Sequence, residues 1–251
     1  MLTISETQSL NRAVRTGRAL VKEGDPDAAA NAILDALTET APAAGPSPRC
    51  TPLVLGGCVR SGKTILAQRL AADMACPFLP GDWLRRLYWS VEEQARRNRL
   101  RRRILRGLLE NVPGGLITEG VDLVLRNQPS RGGGGKPSMR LLRRIRQEGL
   151  AEVAVVGNAD TSVADKVRAL EAWRATGNCW TTGAAHAERY ADTAALEKLA
   201  RSTIERSRVL REKAEAAGIA YLEIRPDAFE ADIAAHLATL RARLAPGRAP
   251  W

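Results

Sequence analysis

Eight residues, from Gly57 to Thr64, carry the clearest chemical signal in this chain. Their order, Gly-Cys-Val-Arg-Ser-Gly-Lys-Thr, fits the pattern G-x-x-x-x-G-K-[ST] at every required position. The pattern is typical of a loop whose backbone N–H groups surround the phosphates of a nucleotide. We expect Lys63 to reach the β- and γ-phosphates and the Thr64 hydroxyl to bind Mg²⁺. The predicted nucleotide-contacting residues are Gly57, Cys58, Val59, Arg60, Ser61, Gly62, Lys63 and Thr64.

The flanking residues supply the elements that this loop needs. Residues 52–56 are short and apolar enough for a buried parallel strand, and residues 65–74 form a good amphipathic helix. Strand, loop and helix in this order place the positive end of the helix at the bound phosphate. The context therefore strengthens the match beyond a chance glycine-rich turn.

Length and composition limit the class of protein. The chain has 251 residues and 45% hydrophobic residues, which fits one α/β domain with additions or at most two small domains. It lacks an apolar run of 18 residues and the features of a signal peptide, so we expect no membrane span. Four scattered cysteines without a C-x-x-C pair indicate reduced thiols and a cytoplasmic protein.

The net charge of +10 is concentrated around residues 96–106, where seven of eleven residues are arginine. Leucine and isoleucine recur at helical spacing within and after this run, which predicts an amphipathic helix with one basic face. A solvated helix face is the favoured interpretation, because charge runs usually have that role. Contact with a substrate phosphate or with RNA is the alternative.

Alternating strand and helix patterns predict a parallel sheet covered on both faces. The predicted strands span 52–56, 76–80, 115–120, 151–157 and 219–224, and the predicted helices span 5–23, 26–38, 83–110, 138–148 and 229–244. Residues 1–48 are predicted to be a helical extension that ends in a linker, followed by one domain over 49–251. Residues 126–137, with four consecutive glycines, are expected to be a mobile surface loop rather than a second phosphate-binding loop.

Two acidic residues follow predicted strands near the phosphate loop. Phe78-Leu79-Pro80-Gly81-Asp82 ends the second strand, and Leu116-Ile117-Thr118-Glu119-Gly120 ends the third. With the phosphate loop, these segments resemble the P-loop small-molecule kinases of the nucleoside-monophosphate-kinase-like group. That group includes gluconate, adenylylsulfate, shikimate and 2-phosphoglycerate kinases and antibiotic phosphotransferases. The resemblance covers roughly residues 50–245.

The resemblance implies a three-layer P-loop NTPase fold with a five-stranded parallel sheet. It also implies an enzyme that uses ATP and Mg²⁺ to phosphorylate a hydroxyl of a small metabolite. The resemblance also implies that Asp82 of this chain would orient the acceptor hydroxyl and accept its proton. Arg85 and Arg86 would bind an acidic acceptor. Glu119 would belong to the Mg²⁺ shell, with Asp122 as the alternative. Asp82 could instead cap a helix that begins at Trp83.

The segment after the fourth strand, residues 160–190, is expected to form the lid over the phosphates. The resemblance implies that cations there cover the phosphates, with Arg168 and Arg174 as the catalytic candidates and Lys166 beside them. Trp173, Cys179 and Trp180 are candidates for packing. The segment departs from the usual R-x-x-x-R lid pattern.

Two other functions remain open. One is a kinase that acts on a nucleotide-sugar or an RNA end, similar to zeta toxins or polynucleotide kinases, for which the arginine run would serve. The other is a P-loop ATPase without kinase activity, whose N-terminal helices would bind a partner. A small hydroxyl-bearing substrate is the favoured partner, nucleic acid is less favoured, and a homodimer is left open.

Overall fold

The computed structural model describes residues 4–40, 50–82, 85, 91, 93–112, 115–126, 135–175 and 192–245. In chain order the strands are β1 Leu53–Gly57, β2 Phe78–Pro80, β3 Ile117–Gly120, β4 Leu125–Arg126, β5 Lys136–Pro137, β6 Glu152–Gly157 and β7 Ala220–Glu223. The helices are α1 Ile4–Glu23, α2 Pro26–Thr40, α3 Lys63–Met74, α4 Gln94–Asn111, α5 Arg140–Gln147, α6 Val163–Ala175, α7 Thr193–Glu215 and α8 Phe229–Leu244.

Five strands form one parallel sheet in the order β2-β3-β1-β6-β7. The predicted five-stranded parallel sheet is therefore confirmed, with each strand within two residues of its expected ends. Because all strands run the same way, their carboxyl ends meet at one edge of the sheet. The central strand β1 carries the phosphate loop at that edge, and β3 and β6 flank it.

Helices cover both faces of the sheet, as the apolar strands require. On one face, Leu53 and Leu55 of β1 pack with α3 and α8. On the other face, Val54 belongs to a cluster that includes apolar residues of α4, α5 and α7. This is the three-layer α/β P-loop fold expected from the sequence.

The N-terminal helices α1 and α2 pack on each other, and α2 packs on α4. Asp25 starts α2 by accepting a hydrogen bond from the Ala28 N–H at 2.9 Å, directly before Pro26. Ala30 and Ile33 are buried in the same apolar cluster as the inner residues of α4. The two helices thus extend the layer of helices on this face of the sheet.

Two features differ from the sequence-based expectations. The segment predicted to be a mobile loop, residues 126–137, begins and ends in β4 and β5, which pair antiparallel, while residues 127–134 lie outside the described part. Helix α7 has no counterpart among the helices predicted from the sequence. Its start is set by Asp192, whose carboxylate accepts a hydrogen bond from the Ala194 N–H at 2.9 Å.

No helix among the described residues is both long and apolar enough to span a membrane. Cys50, Cys58 and Cys76 form no disulfide, and Cys179 lies outside the described residues.

Candidate active site

The phosphate loop joins the end of β1 to the start of α3. Gly57 has φ of 156°, and a Cβ atom there would lie 2.3 Å from the Val156 carbonyl oxygen of β6, so only glycine fits. Gly62 precedes the first turn of α3 with φ of 84°. Between them Arg60 adopts a left-handed conformation with φ of 58°, which is uncommon for a residue with a side chain. The loop therefore holds a specific shape with stored backbone strain.

Side chains from the loop and its surroundings hold two of the loop's carbonyl oxygens. The Ser61 hydroxyl and Lys63 Nζ both donate to the Cys58 carbonyl, at 3.0 and 3.2 Å. Lys166 Nζ donates to the Arg60 carbonyl at 2.6 Å. Carbonyl oxygens would repel an anion, whereas the N–H groups of such a loop attract one. These bonds therefore favour a loop that is prepared to receive phosphate.

Lys63 and Glu119 form a buried ion pair. Lys63 is the first residue of α3, Glu119 lies in β3, and Lys63 Nζ is 3.5 Å from Glu119 Oε2 with both side chains less than a tenth exposed. Burial raises the pKa of Glu119, Lys63 opposes that rise, and Asp82 adds to it through like charge. The Thr64 side chain also lowers the pKa of Glu119, as a polar neighbour of its carboxylate. A lysine, a hydroxyl and a carboxylate thus meet at the base of the loop.

The ends of β2 and β3 are packed so closely that Asp82 is brought towards Glu119. A Cβ atom at Gly81 would lie 2.0 Å from the Glu119 carbonyl oxygen, so the position next to Asp82 must be glycine. The Thr118 hydroxyl donates to the Leu79 carbonyl at 2.8 Å and fixes the same two strands. Gly81 and Asp82 already have helical backbone conformation.

The structure also places a cation beside Asp82. Arg85 Nη1 lies 3.7 Å from Asp82 Oδ1, and both side chains are about one-third exposed. Arg86 lies outside the described residues. The structure therefore joins Asp82, Arg85, Glu119 and the phosphate loop in one region at the carboxyl edge of the sheet.

The described part of the lid segment is helix α6, and it contacts the phosphate loop through Arg60. The Arg60 guanidinium lies 3.6 Å from the centre of the Trp173 ring, and Lys166 bonds to the Arg60 carbonyl. Arg168 is exposed and forms an ion pair with Asp165 on the same helix. Arg174 lies in the last turn of α6. Residues 176–191, which include Cys179 and Trp180, lie outside the described residues.

Asn158 and Glu223 belong to the same region, although neither is among the site residues predicted from the sequence. Asn158 follows β6, accepts a hydrogen bond from Lys166 Nζ at 2.7 Å and donates to the Ile224 carbonyl. Glu223 is the last residue of β7, and its carboxylate accepts hydrogen bonds from the N–H groups of Ala159 and Asp160 at 2.9 and 3.1 Å. Both positions had a signal in the sequence, because polar residues at the carboxyl ends of parallel strands converge near the crevice.

The side-chain oxygens of Thr64 and Glu119, next to Lys63, are of the kind that bind Mg²⁺ beside phosphates. Mg²⁺ takes one or two protein oxygens and completes its shell with phosphate oxygens and water. Thr64 and Glu119 offer such oxygens next to the loop. The described ranges contain no cluster of three or more His, Cys, Asp or Glu side chains suited to holding a metal ion.

Comparison with known proteins adds little to this picture. No family model and no curated protein matches the chain. Among solved structures, it is similar to shikimate kinase from Bacteroides thetaiotaomicron with 15% identity and a TM-score of 0.44, over 78% of this chain and 98% of that one.

A substitution at Glu119 separates its metal role from its structural role. We expect Glu119→Gln to weaken the Mg²⁺ dependence of ADP affinity by about 10- to 100-fold, the usual effect of removing a group that orients a bound metal. Affinity for ADP without Mg²⁺ should not fall, because a negative charge near the phosphates is removed. Calorimetric titrations with and without Mg²⁺ measure both values, and equal Mg²⁺ dependence in variant and wild type would exclude Glu119 from the metal shell.

The raised pKa of Glu119 gives an independent check on folding. Burial raises the pKa of Glu119 in the folded protein above its value in the unfolded chain. The folded protein therefore becomes less stable as the pH rises through the folded-state pKa, because the folded state resists ionisation of this carboxyl. Glutamine carries no such charge. Thermal unfolding of unliganded Glu119→Gln should therefore lack this loss. The variant leaves the buried Lys63 charge without its partner, so it should be less stable overall. A cooperative unfolding transition would show that the variant is folded, so that a change in ADP binding reports on the site.

Proposed function

We propose that this chain is an ATP- and Mg²⁺-dependent kinase that phosphorylates a hydroxyl of a small metabolite. The observation that carries the proposal is the convergence of the phosphate loop with Glu119 and Asp82 at adjacent strand ends. A phosphoryl transfer site needs phosphate binding, a metal position and a group facing the acceptor. The sequence motif supports the first, Thr64 and Glu119 support the second, and Asp82 supports the third.

The nucleotide would lie with its phosphates in the loop from Gly57 to Thr64. Lys63 would exchange its contacts with Cys58 and Glu119 for the β- and γ-phosphates. Thr64 and Glu119 would hold Mg²⁺, which neutralises the charge that develops on the transferred group. The N–H groups of the loop and the first turn of α3 would contribute further positive potential.

The acceptor would bind on the β2 side of the loop, where Asp82 and Arg85 lie. Asp82 would orient the attacking hydroxyl and take up its proton late in the transfer, as an acid–base group must. Arg85, and Arg86 beyond it, would attract an acceptor that carries a negative charge. From this pairing of a carboxylate with guanidinium groups, we infer a small acceptor that carries a hydroxyl and a negative charge.

Further parts of the proposal concern the rest of the chain. We infer an N-terminal helical extension over 1–48, a kinase domain over 49–251 and a lid over 160–190 that includes Arg168 and Arg174. The contacts of α6 with Arg60 support a lid that packs directly against the phosphate loop. The free thiols of the described cysteines support a reducing compartment such as the cytoplasm.

Mass spectrometry of a metabolite extract tests the proposed activity directly. The purified chain would be incubated with the extract and MgATP, with Lys63→Ala as the inactive control. We expect at least one metabolite to gain the mass of one phosphoryl group only with the wild type. ATP hydrolysis without any phosphorylated metabolite would instead favour a P-loop ATPase without kinase activity.

The distribution of charge favours one second candidate, a kinase whose acceptor is an RNA end. Helices α4 and α5 together carry eleven arginines and one acidic residue, Glu110. The chain has 38 Lys and Arg against 28 Asp and Glu, so 27 of each remain elsewhere and cancel. The whole net charge of +10 thus lies on two helices on one face of the sheet. Phosphate backbones bind such surfaces through their charge.

Salt dependence of RNA binding distinguishes this candidate. If an RNA end is the acceptor, affinity for a 5′-hydroxyl oligonucleotide should fall steeply with salt, and Arg102→Gln or Arg143→Gln should each lower the slope by about one. Both arginines are exposed. Fluorescence anisotropy across salt concentrations measures the slope. Binding that is absent at moderate salt would leave the basic face as a solvated surface and the small metabolite as acceptor.

A further inference from the structure

Lys166 stands out among the charged residues because it is almost completely buried, with 3% of its surface exposed, and lies directly against the phosphate loop. Its Nζ donates two hydrogen bonds, to the Arg60 carbonyl at 2.6 Å and to Asn158 Oδ1 at 2.7 Å. Buried lysines without a strong reason are rare, since desolvation of the ammonium is costly. Nothing in the proposed chemistry so far uses this residue.

The first bond has a consequence for the loop. Arg60 is held in a left-handed conformation, and its carbonyl oxygen is turned towards Lys166. Strained residues persist only when their surroundings fix them. Helix α6 supplies this fixation twice, because Trp173 also stacks on the Arg60 guanidinium at 3.6 Å. Lys166 thereby stabilises the backbone that presents N–H groups to a phosphate.

The second bond ties Lys166 to the rigid sheet. Asn158 follows β6 and donates its own side-chain N–H to the Ile224 carbonyl beyond β7, while its backbone N–H donates to the Ser207 hydroxyl of α7 at 3.1 Å. Lys166 thus connects the loop to two strand ends and a helix. Because Lys166 is held in place by these bonds, a change in the charge of the loop changes the electrostatic potential at its amine.

The two acceptors leave the charge state of Lys166 adjustable. A neutral amine has two N–H groups, which are enough for the Arg60 carbonyl and Asn158, and the ammonium has a third. Burial lowers the pKa of Lys166 to about 8, and the nearby Lys63 and Arg60 also lower it. Cys58 and Glu223 act in the opposite direction. Three basic side chains, those of Arg60, Lys63 and Lys166, therefore lie in or beside the loop.

We propose that Lys166 is a positioning residue of the phosphate loop that takes up a proton when a polyphosphate fills the loop. The inference rests on the proposed nucleotide site and adds a regulation of it by pH. A bound polyphosphate brings several negative charges close to Lys63, Arg60 and Lys166, which favours the charged form of each. The pKa of Lys166 lies close enough to neutral pH for this added charge to bring a proton onto its amine.

Calorimetric titration of the full chain with MgADP in two buffers of different ionisation enthalpy tests the proposal. At pH 8.5 the phosphates are fully ionised, because their second pKa is about 6. A lysine with a pKa near 8 is then about one-quarter charged, so binding should take up about 0.75 proton per nucleotide. At pH 6.5 the lysine is already charged, and the Lys166 contribution should vanish. This profile needs no variant and so does not depend on the folding of one.

Variants assign the proton to Lys166. Lys166→Met should abolish the uptake at pH 8.5 and weaken MgADP binding at least about tenfold, because the Arg60 carbonyl loses a charged donor. Lys166→Arg keeps the charge at every pH, so it should bind MgADP with little uptake. Lys213→Met, which removes an exposed lysine of α7, is the matched control and should behave as the wild type.

The outcomes separate this inference from the proposed function. Wild-type protein that does not bind MgADP would overturn the nucleotide site itself. Wild-type protein that binds MgADP with the same proton uptake at pH 6.5 and 8.5, or a Lys166→Met variant that keeps the uptake, would overturn the role of Lys166 and leave the nucleotide site intact.

Discussion

Lys63→Ala is expected to abolish stabilisation of the protein by MgATP. A nucleotide present at about 100 times its dissociation constant stabilises a folded protein by about 2.7 kcal/mol. For a chain of this size, that corresponds to a rise in Tm of about 5–10 °C. Without the lysine, charge at the β- and γ-phosphates is lost, and phosphoryl transfer should fall by about 10²- to 10³-fold. Thermal-shift and transfer assays measure the two effects.

The ion pair with Glu119 complicates this variant and also supplies its control. Removing one partner of a buried pair leaves the other charge uncompensated, which commonly costs about 3–5 kcal/mol. Lys63→Ala should therefore be less stable even without nucleotide. The double variant Lys63→Ala/Glu119→Gln removes both charges and should regain much of that stability, yet still show no response to MgATP. A double variant with a wild-type response would argue against nucleotide binding in this loop.

The parts of the site that were predictable from sequence are those encoded locally. The phosphate loop needs glycine at two positions and a lysine and hydroxyl at fixed spacing, so Gly57, Gly62, Lys63 and Thr64 could be recognised without any knowledge of the fold. The strands were recognisable from their apolar runs. Their ends shifted by one or two residues, as at β2, because Pro77 lacks an N–H and the strand begins only at Phe78.

The contacts that sequence reasoning missed join residues far apart in the chain. Lys166 and the Arg60 carbonyl are separated by 106 residues, and Glu223 binds backbone N–H groups more than 60 residues before it. Such pairs form only because parallel strand ends share one edge of the sheet. Helix α7, in contrast, had a local signal in Asp192 and in its buried residues at helical spacing, among them Leu196, Ala200 and Ile204.

Asp82, Arg168 and Arg174 differ in how well their surroundings fit the predicted roles. The structure brings Asp82 to the region of Glu119 and Arg85, which fits a role at the acceptor. Arg168 is paired with Asp165, so covering a phosphate would require it to exchange partners. The assignment of these residues remains a prediction, and Asp82 offers the sharpest test.

Asp82→Asn is expected to leave MgATP binding nearly unchanged and to reduce phosphoryl transfer by about 10²-fold or more. Asparagine keeps the shape of the side chain, but it cannot accept the proton of the acceptor hydroxyl, and positioned acid–base groups contribute on this scale. Binding is expected to persist because the phosphates contact the loop and Lys63 instead. Single-turnover transfer to the acceptor found by mass spectrometry, together with calorimetric MgATP affinity, measures the two quantities separately.

Asp73 provides a closely matched control for this substitution. Its side chain is 38% exposed and lies 3.5 Å from Arg241, whereas that of Asp82 is 36% exposed and lies 3.7 Å from Arg85. Asp73→Asn therefore removes a carboxylate from an ion pair of the same kind, on α3 at a distance from the loop. It should transfer phosphate at the wild-type rate. If Asp82→Asn also keeps full transfer activity, Asp82 has only a structural role at the end of β2, and the proton acceptor must be sought elsewhere around the acceptor position.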